Sequence, residues 1–194
     1  LVAGGDVELH VGTQRHALSA QRYEGDVVSP RGDRAIAAFA HEPWPTWEFT
    51  LPDGQRVRHE LYVRRGDSAV ALRWQLLTPP PAGTSCGLVV RPFVAGRDYH
   101  TLRRERDGFT ASEAGDAREV RWRLSHGAHD VVARSNGRYD AQPYWYRDFH
   151  YAEESARGFD ATEDLLAPGT FTFDLTRGPA VLVRKKLNTA VSLQ

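Results

Sequence analysis

The sequence predicts an all-β fold: an antiparallel sandwich of two packed sheets. Three observations carry this. Short runs alternate apolar and polar residues with period two, the pattern of a strand with one buried face. Turn-forming clusters separate the runs at spacings of about 8–12 residues, as in sandwiches. No amphipathic run of ordinary helix length appears, which argues against an α/β arrangement.

Val7, Leu9 and Val11 alternate with Glu8 and His10, so the first strand is half-buried. Gly12-Thr13-Gln14 turns into a second strand through Leu18. Ser29-Pro30-Arg31-Gly32-Asp33 reads as a turn cluster. Arg34 to Ala40 fits strand or helix by periodicity, and its flanks favour strand. His41-Glu42-Pro43-Trp44-Pro45 is a stiff extended link, because proline fixes its own φ and restricts the residue before it. Trp47, Phe49 and Leu51 then alternate, and Pro52-Asp53-Gly54 turns the chain. Val57, His59, Leu61 and Val63 form one face of the next run. Arg65-Gly66-Asp67 turns again before Val70, Leu72, Trp74 and Leu76. This is the clearest hairpin series in the chain.

Thr78 to Gly83 is a Pro-rich connector, too short to link domains. Leu88, Val90 and Val94 continue as a strand ending in Arg97-Asp98-Tyr99-His100. Thr101 to Asp107 is charged, a strand end or loop. Val120, Trp122 and Leu124 alternate, and Val131 to Ala133 is a short strand closed by Asn136-Gly137, a favoured tight-turn pair. Ala152 to Arg157 has room for a turn or two of helix. Phe171, Phe173 and Leu175 alternate, Arg177-Gly178-Pro179 turns, and Val181 to Arg184 closes the series. Val70, Leu72, Trp74, Leu76, Val120, Trp122, Phe171 and Phe173 are expected inside the sandwich.

The 194 residues fit one domain with a real core. Lys plus Arg and Asp plus Glu both number 25, so no net field draws the chain to nucleic acid or an anionic membrane. The single cysteine, Cys86, excludes an internal disulfide framework and agrees with a cytoplasmic location. No apolar run approaches the ~20 residues of a membrane helix, and no signal peptide is visible. The chain opens at Leu1 and contains no Met, which suggests a piece of a longer protein.

Most chemical motifs are missing. There is no Gly-rich phosphate loop after a strand and no G-x-S-x-G elbow. Cys86 reads as a small core residue. His126 and His129 in SHGAHD lack a third ligand at standard spacing, so no metal site is expected. His100 and His150 are candidate proton-transfer groups, though a lone His is more often structural. Trp74 and Trp122 alternate with polar neighbours and read as core, whereas Trp44, Trp47 and Trp145 are candidates to stack on a ring. No cofactor is implied.

The densest stretch is Tyr144 to Phe173. Three aromatics open it, then Glu153, Glu154, Arg157, Asp160, Glu163 and Asp164 crowd among Phe149, Tyr151, Phe159 and Leu165. Such a mixture suits a polar ligand with apolar faces, such as a sugar, or an interdomain contact. The acids include candidates for a glycosidase pair, which needs two carboxyl groups about 5–10 Å apart. The sequence instead favours their pairing with Arg147 and Arg157 to pin a loop.

Four segments resemble one family in the family's order: PWPTWEF at 43–49, RVRHELYVRRGDSAVALRWQLL at 56–77, RPFVAGRDYHTLRRERD at 91–107, and WYRDFHYAEESARGFDATEDLLAPGTFTFDL at 145–175. They resemble the N-terminal domain of bacterial- and archaeal-type glycogen debranching enzymes. The stretch Gly108 to Asp140 is not diagnostic. The resemblance implies a β-supersandwich of the galactose mutarotase-like kind, preceding an (α/α)6 barrel that carries the acids for α-1,6-glucoside hydrolysis. The family's opening segment is not seen before Leu1, so the sandwich is expected to lack its native first strands. Residues 1–184 are then one sandwich domain, and 185–194 an extension or the start of an interdomain linker.

The resemblance implies a non-catalytic domain that supports binding of an α-glucan, glycogen or a maltooligosaccharide, and docks on the C-terminal catalytic barrel. It implies no nucleic acid and no membrane partner. The alternatives are a stand-alone mutarotase-like enzyme and a structural or oligomerisation module. Arg97, Asp98, His100, Trp145, Tyr146, Arg147, Glu154, Arg157, Asp160 and Asp164 are expected on one surface, facing either sugar or barrel. Buried charges need partners, so Arg157 is expected beside Glu154 or Asp160, and Arg97 beside an acid of the second segment.

Overall fold

A computed structural model describes residues 2–97, 101–108, 110–116, 118–125 and 129–188. In chain order the strands are β1 (Val2–Val11), β2 (Gln14–Ala17), β3 (Ala20–Tyr23), β4 (Val27–Arg31), β5 (Ile36–Ala40), β6 (Thr46–Thr50), β7 (Arg56–Val63) and β8 (Ala69–Leu76). Then come β9 (Cys86–Val94), β10 (Ala111–Gly115), β11 (Glu119–Leu124), β12 (His129–Ser135), β13 (Arg138–Asp140) and β14 (Tyr144–His150). One short helix, α1 (Ala152–Ala156), precedes β15 (Thr162–Ala167), β16 (Thr170–Asp174) and β17 (Ala180–Asn188).

The strands form the expected all-β sandwich. The first sheet runs β13-β16-β9-β15-β14-β3-β4, with β1 on the other side of β9 and β2 beside β1. The second runs β10-β11-β12-β17-β8-β7-β6-β5. Every pairing is antiparallel, and the expected hairpin of β7 with β8 has Val57 opposite Leu76. β9 is the axis of the first sheet. It lies along β1 over its whole length, while its other edge meets β16 at Gly87–Val90 and β15 at Val94.

Period-two patterning decides which side chains meet between the sheets. Val7, Leu9, Leu88, Val90, Phe171 and Phe173 from the first sheet pack against Leu72, Trp74, Val120, Trp122 and Leu182 from the second. Trp122 and Leu182 are fully buried. Val70 and Leu76 are half-buried against the same core, so all eight residues expected inside lie in or against it. Cys86 is in this core, and burial first, then Asp174, pushes its thiol up to about 11. A second cluster, Phe93, Ala95, Phe149, Leu165 and Ala167, covers part of the outer face of the first sheet.

Several local readings change. Ser29, Pro30 and Arg31 are strand, not turn; the turn begins at Gly32, whose N–H donates to the Ser19 carbonyl at 2.9 Å. β9 ends at Val94 rather than at 97–100, because Gly96 takes a positive φ of 31° and leaves the ladder. Residues 98–100 lie outside the described residues. Asn136-Gly137 does not close a hairpin, since β12 and β13 belong to different sheets. It is a corner, held by Asn136, whose side-chain amide donates to the Pro179 carbonyl and accepts from the Val181 N–H, both at 2.8 Å. The last strand runs past Arg184 to Asn188 because β12 offers partners that far. The charged stretch after Phe159 is not a loop: from Thr162 it is β15, buried on both faces.

Candidate functional site

Two neighbouring features lie on the outer face of the first sheet. The first is a cluster of charges built where Arg97 and residues 101–108 meet β14 and β15. Arg97 donates to Glu163 through Nε at 2.7 Å and Nη2 at 2.6 Å. Glu163 is 0% exposed and also accepts from the Tyr151 hydroxyl. This pairing raises the Arg97 guanidinium above its ordinary range. Burial first, and the bond to Glu163 next, push the Tyr151 phenol up as well, so it stays a donor.

Asp164 carries the next tie. Its carboxylate accepts from the Glu105 N–H and the Asp148 N–H, each at 2.9 Å, with Arg104 Nη1 at 3.6 Å. Arg147 Nε donates to Glu105 at 2.5 Å. These bonds hold Asp148 at a φ of 62°, beside the irregularity in β14 between Tyr146 and Phe149. The carboxylates are thus consumed inside the fold. As expected, Arg97 pairs with an acid of the second segment, Glu163; Tyr151, Arg104 and backbone N–H groups supply the other partners, and neither carboxylate pairs with Arg147 or Arg157, the loop-pinning partners that the sequence favours.

Glu154, Arg157 and Asp160 take no part in these ion pairs. All three are exposed in and after α1 and form no ion pair with a described residue, so the expected pairing of Arg157 does not occur. Backbone bonds from the Arg157 and Phe159 N–H groups to the Glu154 carbonyl hold this turn, and an exposed pair would gain little. Asp98 and His100 lie outside the described residues. His150 Nδ1 is buried without a hydrogen-bond partner among the described residues. His126 is also outside them, and no group of three or more potential metal ligands occurs among those described.

The second feature is a cleft of about 740 Å³, lined by Val89 and Arg91 of β9, Arg138 and Asp140 of β13, Thr170 and Thr172 of β16, and Gln142, Pro143, Tyr144 and Tyr146. It opens where β15 passes into β16 and the two diverge along the edge of β9. Gly169 sits at that divergence because nothing larger fits: a Cβ there would lie 2.4 Å from the Tyr139 hydroxyl and 2.5 Å from the Asp140 carbonyl. Tyr144 is 61% exposed and meets Tyr146 edge-on, ring centroids 5.2 Å apart.

Tyr146 links cleft and core. Its ring packs on Phe93 at 4.7 Å, and its hydroxyl donates to Asp6 Oδ2 at 3.1 Å. Asp6 also accepts from Ser19 Oγ at 2.8 Å and Arg91 Nη1 at 3.3 Å. Burial, then the Asp6 charge, raise the Tyr146 phenol above its usual range, so it remains a fixed donor. Gln142 donates to Asp140 at 3.0 Å, and Arg138 has no ion pair with a described residue. The cleft therefore offers an exposed aromatic face beside guanidinium, carboxylate, amide and hydroxyl groups.

The sequence places both Trp145 and Tyr146 on the surface facing sugar or barrel; Tyr146 lines the cleft and Trp145 does not. Alternation in β14 sends Tyr144 and Tyr146 outward and Trp145 inward, where it packs half-buried against the inter-sheet core. Arg91, Arg138, Asp140, Gln142 and Tyr144 were not singled out. The available signal was the same alternation, since only one of Tyr144 and Trp145 can face the core. Among the other tryptophans, Trp44 is exposed beside Tyr62, and Trp47 stacks on His59.

The sequence matches the family described as "Glycogen debranching enzyme N terminal" over residues 1–182. No curated protein matches it. One similar solved structure is a bacterial glucoamylase complexed with acarbose, 8% identical with a TM-score of 0.47. The alignment covers 96% of this chain and 28% of that chain, so this chain spans well under two thirds of the glucoamylase.

Proposed function

The chain belongs to the glycogen debranching enzyme N-terminal family, and from that membership we propose that it is the non-catalytic β-sandwich domain of a larger, cytoplasmic glycoside hydrolase. It supports binding of an α-glucan, glycogen or a maltooligosaccharide, and docks on a C-terminal catalytic barrel of the same polypeptide. The observation that carries the glucan reading is the cleft, where exposed Tyr144 stands beside Arg138, Asp140 and Gln142. A flat aromatic ring takes the apolar face of a pyranose, and planar polar groups take its hydroxyls. The non-catalytic role is supported by Glu163 and Asp164, whose oxygens are occupied by Arg97 and by backbone donors. The barrel contact is assigned to the neighbouring charged cluster, which is stiffened by those same bonds. On this reading residues 1–184 are the domain and 185–194 lead toward the barrel.

The test is affinity electrophoresis of the chain in gels with and without glycogen. Retardation is expected, and Tyr144→Ala should weaken it about tenfold, the loss expected of an anchoring aromatic. Equal mobility of the unaltered chain in both gels defeats the glucan reading. Glucose release from a branched limit dextrin by the chain alone defeats the non-catalytic one.

A further inference from the structure

The geometry points to a second binding site, for a phosphate ester, between the two sheets and away from the cleft. A cavity of about 440 Å³ is walled by Arg15, Arg31 and Arg34, with His16, Thr50 and Leu51 among its other lining residues. The three guanidiniums come from β2, the end of β4 and the turn that follows it, so no local sequence signal gathers them.

The charges are unevenly satisfied. Arg31 is held by Asp33 through Nε at 2.9 Å and Nη2 at 2.7 Å, and Arg34 only adds a weaker pull on that carboxylate. Asp53 faces His16 Nε2 at 3.4 Å. Arg15 and Arg34 are within ion-pair distance of no carboxylate among the described residues. Three guanidiniums thus surround one opening; the nearby carboxylates Asp33 and Asp53 are engaged with Arg31 and His16, which leaves Arg15 and Arg34 as cations without a carboxylate partner among the described residues.

Their spacing is held by the backbone. Gly32, between Arg31 and Arg34, lies so close to the β2–β3 connection that a Cβ would sit 2.6 Å from the Ser19 nitrogen and 2.8 Å from the Ala17 carbonyl. Ser19 is itself fixed by Val7 and Asp6. The segment carrying Arg31 and Arg34 is therefore clamped against the segment carrying Arg15, and the cavity does not depend on a mobile loop.

The shape selects the ligand class. One guanidinium fork saturates a carboxylate, whereas a phosphate monoester has three terminal oxygens that accept from more than one fork. The cavity also has the size of a small-molecule site rather than of a bare oxyanion. Resting on the glucan reading proposed above, the ligand is a sugar phosphate or a phosphate ester on a glucan chain.

Calorimetric titration of the chain at low ionic strength tests this with glucose 6-phosphate, inorganic phosphate and glucose as probes. Glucose 6-phosphate should bind most tightly and glucose not measurably. The double variant Arg15→Ala/Arg34→Ala should weaken glucose 6-phosphate about tenfold or more, since each lost charged hydrogen bond is worth at least that. Both side chains are exposed, so an unchanged unfolding midpoint is expected for the variant. Phosphorylated amylopectin compared with the same polymer after phosphatase treatment separates the sources: a phosphatase-sensitive signal assigns the polymer, and a signal from glucose 6-phosphate alone assigns the free sugar phosphate. Absence of phosphate and glucose 6-phosphate binding, equal binding of glucose, or unchanged binding by the double variant overturns the site.

Discussion

His59 should make the fold sensitive to mild acid. Its ring lies between Trp47 and Trp74, with centroids 5.3 Å and 4.6 Å away and nearly parallel planes. Burial is the main cause that lowers its pKa to about 4, with the nearby Arg184 cation adding to it. The Arg73 carbonyl, 3.3 Å from Nδ1, opposes the shift but does not cancel it. In the unfolded chain the imidazole titrates near 6.5. Between these values the unfolded state takes a proton that the folded state refuses. The contribution is therefore whole above 6.5 and is lost as pH falls toward 4. The shift corresponds to ~3 kcal/mol in full, of which about 2 kcal/mol is gone by pH 5. The assay is urea unfolding followed by tryptophan fluorescence at pH 7 and pH 5, for the chain and for His59→Gln. The glutamine keeps a planar polar group but cannot titrate. Other histidines and the carboxylates act in both proteins, so the difference between the two pH effects isolates His59. A loss that is equal in chain and variant would refute the reasoning.

Two further outcomes follow from the outer face of the first sheet. Arg97→Met strands the Glu163 carboxylate, which is 0% exposed, and should cost about 3–5 kcal/mol in chemical unfolding; a loss below ~1 kcal/mol would mean that the pair does not hold Arg97 against β15. Trp145→Ala should lower stability by about 2–4 kcal/mol because the ring packs on the inter-sheet core, while Tyr144→Ala should stay within ~0.5 kcal/mol because its ring is exposed. The same pair read by glycogen retardation should reverse in rank, with Tyr144→Ala the more damaging; the opposite order would return the ring-stacking role to Trp145.

β15 shows where a sequence reading loses its grip. Thr162–Ala167 is buried on both faces, so it lacks the alternation that reveals a half-exposed strand. Glu163 and Asp164 resemble surface residues, and only their partners explain their burial. Those partners, Arg97 and the Glu105 N–H, lie 66 and 59 positions away in sequence.

The sequence by itself determined the fold class, most strands, the inner-face residues from Val7 to Phe173, and the family. The physical reason is that side-chain alternation is a local property of extended backbone, so the apolar face of each strand is written within a few residues. Tertiary structure decided that Tyr144 rather than Trp145 faces the cleft, that Asn136-Gly137 turns a corner between sheets, and that Arg15, Arg31 and Arg34 share one cavity. Each depends on which distant segment supplies the partner, as with β14 against β15 or β12 against β17. That choice is made by the summed burial and hydrogen bonding of the whole domain, and no window of sequence contains it.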